Sequence, residues 1–110
     1  MNASDKFGPL RKGMLEYAVL TVIAAHHVYA ADILQKLNAT ELATAEGSLY
    51  PLLSRLKREG LVAYEWQESE AGPPRKYYHL TSEGKQQLAA LRAYWQKLDK
   101  TVQQLGEHHA

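Results

Sequence analysis

From Gly13 to His27 the apolar positions recur at helical spacing. Leu15, Val19, Val22 and Ile23 form one stripe; Met14, Tyr17, Ala18 and Thr21 form a second on another face. A helix apolar on two faces is buried on two sides, and in so small a chain the second side points to a partner subunit. Residues 1–12 carry few core-forming side chains and read as an N-terminal arm, loose or packed on a partner. A short second helix follows over 29–37, with Ile33, Leu34 and Leu37 inward and Asp32 in its first turn. "NATELAT" turns the chain, and Thr44 is the candidate N-cap of a third helix. That helix, "AEGSLYPLLSRLKRE", places Leu49, Leu52, Leu53 and Leu56 on its core face. Pro51 falls in its first two turns, where a lost amide bond matters least, and Gly60 ends it.

The period then changes. "LVAYEWQES" (61–69) alternates, with Val62, Tyr64 and Trp66 on one side. "EAGPP" reads as the turn, and "RKYYHLT" as the returning strand of a β-hairpin, with Tyr78 and Leu80 on one face. Thr81 caps a last helix over about 82–105. Along it Leu88, Leu91, Trp95, Leu98, Val102 and Leu105 are spaced 3, 4, 3, 4, 3, an a/d seam that favours packing against another helix and predicts a dimer interface. Residues 106–110 form a tail.

Composition narrows the class. The chain has 110 residues, 45% hydrophobic and 23% charged, which fits one domain with a modest core. The apolar runs are too short to span a bilayer, and the N-terminus lacks the pattern of a secretion signal. There are no cysteines, which excludes disulfides and thiolate chemistry and fits a cytoplasmic location. The formal net charge is +1, so a nucleic-acid binder must concentrate its cations locally.

Order supplies that concentration. Helix, helix, helix, hairpin, long helix (residues 13–81, then 82–105) is the layout of a winged helix-turn-helix followed by a dimerisation helix: a mainly α fold with a β-hairpin wing. Subtracting the leucine face of the third helix exposes Ser48, Tyr50, Pro51, Ser54, Arg55, Lys57 and Arg58. An α-helix fits the major groove; arginine can pair with guanine, and hydroxyls can bond phosphates. Arg75 and Lys76 follow the Gly72-Pro73-Pro74 segment, where a stiff wing tip would meet the backbone. Taken singly, each cluster reads equally as a solvated face; together they point to DNA.

The blocks "EGSLYPLLSRLKREGLV" and "GPPRKYYHLT", with a tryptophan in the strand between them and "EG" after, resemble the PadR family of transcriptional regulators. The resemblance spans about residues 13–105, and the single last helix resembles the family's small subgroup. It implies a homodimeric winged-helix repressor of double-stranded operator DNA in a prokaryotic cytoplasm. It also implies DNA contacts at Ser48, Tyr50, Arg55, Arg75 and Lys76. Ala30 and Ala31 depart from the family's glycine and aromatic, Pro73 from a common arginine, and Ala45 from a common capping serine.

In multidrug-sensing members of that subgroup an aromatic on the last helix lines a pore at the dimer centre. Trp95 falls at that position with Asp99 one turn on, and Met14, Tyr17 and Thr21 are candidates for the same space. Paired indoles offer a stacking slot for planar aromatic compounds, and a carboxylate attracts cations. Trp95 reads equally as a knob in the seam, and Trp66 as core or strand packing. His26-His27, His79 and His108-His109 lack metal-ligand spacing. No phosphate loop, nucleophile elbow or paired acids suggest an enzyme or a bound cofactor. A winged helix that docks a protein partner, without an operator, is the competing reading.

Overall fold

The computed structural model describes residues 5–26 and 28–107. Residues 1–4 of the arm, His27, and His108-His109 of the tail lie outside the described residues. The elements are α1 (Gly8–Gly13), α2 (Leu15–Ala25), β1 (Val28–Tyr29), α3 (Ala30–Asn38), α4 (Glu46–Arg58), β2 (Val62–Ser69), β3 (Gly72–Leu80) and α5 (Ser82–Leu105).

From Gly8 onward the arm is helical rather than loose. Pro9 sits at the start of α1, where its missing amide costs nothing, and Met14 joins α1 to α2 by donating to the Leu10 and Arg11 carbonyls. On α2 the buried residues are Val19, Leu20 and Ile23. Leu20 is fully buried although it belongs to neither stripe read from the sequence. The second helix starts at Ala30 rather than at 29, because Val28 and Tyr29 pair with Tyr78 and Tyr77 as a two-residue strand. Tyr29 becomes the N-cap, and its amide donates to the Asp32 carboxylate at 3.2 Å.

Thr44 does not cap α4. The helix begins one residue later, with Ala45 as an N-cap that lacks a side-chain bond, and the Thr44 amide donates to the Asn38 side chain at 3.0 Å. Leu49, Leu53 and Leu56 are buried as the spacing requires. Gly60 terminates the segment with φ of 75°, a left-handed conformation suited to glycine.

The sheet order is β1-β3-β2, all antiparallel. The hairpin turns at Glu70-Ala71, not at the prolines, which lie within β3. Gln67 pairs with Arg75 and Ser69 with Gly72, so Pro73 and Pro74 together face Glu68 alone. That bulge accommodates two residues without amide donors.

The core joins Val19, Leu20, Ile23, Ile33, Leu49, Leu53, Leu56, Val62 and Leu80, and α5 adds Leu88. Beyond Leu88 the helix rises out of the body, which explains the elongated 67 × 38 × 21 Å shape. The start of α5 is bolted to the end of α4. The Thr81 hydroxyl donates to the Gly60 carbonyl at 2.6 Å and accepts from the Gly84 amide at 3.0 Å. The Thr81 amide donates to the Leu61 carbonyl at 3.1 Å. Among the described residues no helix is long and apolar enough to cross a membrane.

Candidate nucleic-acid interface

With about 100° between successive residues, α4 shows an exposed crest and two flanks opposite its leucines. Gly47, Pro51, Ser54 and Arg58 form the crest, and all are exposed. Tyr50 and Lys57 lie on the flank toward the sheet; Ser48 and Arg55 lie on the flank toward α1 and α2. That second flank borders an open cleft of about 720 Å³ between α1 and α4, into which Arg11 and Lys12 also face.

Arg55 is already occupied. Its guanidinium donates to Glu16 on α2 at 2.6 Å and to both carboxylate oxygens of Glu59 at 3.1 Å. Glu16 and then Glu59, both hydrogen-bonded to it, hold its pKa above the ordinary arginine value. The second Glu16 oxygen accepts from Gln87 on α5 at 3.2 Å. One carboxylate on α2 therefore ties α4 to α5. Sequence reading missed Glu16 because its partners lie 39 and 71 residues away, beyond any local pattern. It also missed Arg11 and Lys12, which belong to the segment read as an arm.

The two wing cations point to opposite faces, since adjacent strand residues alternate. The Arg75 guanidinium lies 4.3 Å from the centre of the Tyr29 ring, which meets Tyr77 edge-on at 5.2 Å. The Lys76 ammonium lies 4.6 Å from Tyr64 and 5.6 Å from Trp66 on the face toward α4. Both cations thus sit on the stem of the wing, and the tip carries Glu68 and Glu70. Trp66 is not a core residue: it is 63% exposed. Tyr78 at the base is buried, and that burial, with smaller contributions from Tyr64 and Tyr50, raises its phenol pKa.

The candidate effector residues do not close a cavity within one chain. Met14, Tyr17 and Trp95 are half-buried, and Thr21 and Asp99 are exposed. The seam along α5 divides. Leu88 is used by the chain's own core, Leu91 and Trp95 are half-buried, and Leu98, Val102 (67%) and Leu105 (80%) are increasingly exposed. Among the described residues no cluster of histidine and acidic groups could hold a metal ion.

Comparison with known proteins agrees with this architecture. Residues 19–90 match the model of the transcriptional regulator PadR-like family. A PadR-like transcription factor from Bacteroides fragilis is 49% identical, covering 89% of this chain and 95% of that one, with a TM-score of 0.79. A PadR-like transcriptional regulator from Bacillus cereus is 36% identical over 93% of this chain and 100% of that one, with a TM-score of 0.80. A PadR family regulator from Eggerthella lenta is 34% identical over 92% and 88%, at 0.82. The winged helix expected from the order of elements is therefore the fold of these regulators, which are not enzymes. With its cationic α4, its wing and its long last helix accounted for, this chain belongs to the PadR-like family of transcriptional regulators.

Proposed function

We propose that the chain is a homodimeric repressor of an inverted-repeat operator in double-stranded DNA, acting in the cytoplasm and released by a planar aromatic compound. The observation that carries the DNA reading is the crest of α4 beside a wing whose cations are held on aromatic rings. Ser54, Arg58 and Pro51 enter the major groove; Ser48, Tyr50, Arg75 and Lys76 bind phosphates; Arg55 orients α4 through Glu16. The exposed Leu98, Val102 and Leu105 supply the dimer contact, continued by Phe7 and Leu10, which are exposed on the segment leading into α2. Two recognition helices about 34 Å apart then meet successive major grooves.

The test is a binding titration with duplex DNA from upstream of the chain's own gene, at two salt concentrations. Specific, salt-sensitive binding is expected. Binding with no preference for any fragment refutes the operator; no binding even at low salt favours a protein-docking role. Changing Arg75 and Lys76 together to alanine is expected to weaken binding to all sequences and to flatten the log–log salt slope by about two.

Release by a ligand requires different affinity for two dimer forms. Trp95 and Asp99 are the proposed contacts, with Met14, Tyr17 and Thr21 around them. A planar cationic dye is expected to quench tryptophan emission in the wild-type protein and far less in Trp95→Ala. Equal quenching in both removes the site.

A further inference from the structure

The face of the wing that looks toward α4 carries a row of alternating character. Lys57, at the end of α4, places its ammonium 5.7 Å from the Tyr64 ring. Lys76 lies between Tyr64 and Trp66, at 4.6 and 5.6 Å. The Tyr64 and Trp66 rings meet edge-on, with centroids 6.0 Å apart. The order across the surface is cation, ring, cation, ring. A single exposed indole is ordinary. Here the exposed indole ends such a row, beside the recognition helix.

A DNA strand presents the complementary alternation, an anionic phosphate followed by the apolar face of a sugar. We infer that Lys57, Lys76 and Trp66 form one backbone-tracking strip, in which the lysines take successive phosphates and the Trp66 indole, beyond Lys76 at the end of the row, packs on the deoxyribose that follows. This rests on the proposal that the chain binds duplex DNA, and it adds two contacts, Trp66 and Lys57, to that surface. Lysine loses much side-chain freedom on binding. Here the rings hold the ammonium groups beforehand, so less remains to be lost when a phosphate arrives. The acidic tip at Glu68 and Glu70 bounds the strip, so the strand crosses the stem of the wing and not its end.

The test uses the full chain and a labelled duplex selected by the wild-type protein from a randomised pool. Binding is followed by anisotropy of the label, and the indoles by tryptophan emission. DNA is expected to change the emission of the wild-type protein, and that change should be lost in Trp66→Phe, which keeps a ring at the site. Trp66→Ala is expected to bind about five- to ten-fold more weakly with the salt slope unchanged, because no charge is removed. Lys57→Ala should instead lower the slope by about one. An emission change that survives intact in Trp66→Phe, or Trp66→Ala affinity within about two-fold of wild type, overturns the strip while leaving the DNA reading in place. Flat anisotropy with the wild-type protein at low salt overturns both.

Discussion

Replacing Gly84 with alanine is expected to lower the stability of the chain by about 3 kcal/mol. Gly84 lies in the first turn of α5, and a Cβ built there falls 1.9 Å from the Leu61 carbonyl oxygen. The obstacle is backbone and cannot swing aside. The same oxygen already accepts the Thr81 amide at 3.1 Å, so relieving the clash strains the cap of α5 as well. Alanine is the better helix former by about 1 kcal/mol, which offsets only part of this. A thermal melt should fall by roughly 10 °C or more. Gly47→Ala is the control of opposite sign. Nothing lies within 4 Å of its added methyl, and α4 gains a helix former, so its melting temperature should rise slightly. A Gly84→Ala protein that melts with the wild type would mean that the contact between the end of α4 and the start of α5 yields freely.

Arg58→Ala is expected to weaken binding to the selected duplex by about ten- to one hundred-fold and to relax preference at one base position. Arg58 is exposed on the crest of α4, and none of the ion pairs among the described residues holds it. Arg55 differs because Glu16 and Glu59 already occupy its guanidinium. Arg55→Ala should therefore weaken all sequences alike, by loosening the seat of α4. Selection from a randomised pool by the two variants separates these outcomes. A base profile unchanged in Arg58→Ala would assign that residue to the backbone, and a relaxed profile in Arg55→Ala would reverse the two roles.

The periodic signals were legible because one residue's surroundings repeat along the chain. The bounds of α5, its Thr81 cap, the leucine face of α4 and the hairpin all follow from spacing alone. The misreadings have local causes. Two prolines after a glycine resemble a turn, yet a bulge opposite Glu68 lets them stay in β3. Thr44 has the chemistry of a cap, but the helix starts one residue beyond it, and the bond that fixes Thr44 is made by its amide to Asn38, six positions back. Two residues are too few to announce β1, although Tyr29 there supplies the ring beneath Arg75. Of the candidate site, the exposed face of α4 and the wing cations were visible as residues. What was hidden is how each is held: Arg55 by a carboxylate 39 positions away, and Lys76 by rings from the opposite strand.

The fastening of α5 to α4 has a mechanical consequence. Thr81 grips Gly60 and Leu61, and Glu16 spans Arg55 and Gln87, so the recognition helix and the base of the last helix are joined at two separate points. A turn of one is therefore expected to carry the other with it. The 24 residues of α5 make an arm about 36 Å long. A swing of about 10° at one end carries the other through about 6 Å, nearly two base-pair steps of duplex. In the proposed dimer, a slight change of angle between the two arms is thus enough to take both recognition helices out of register with their grooves.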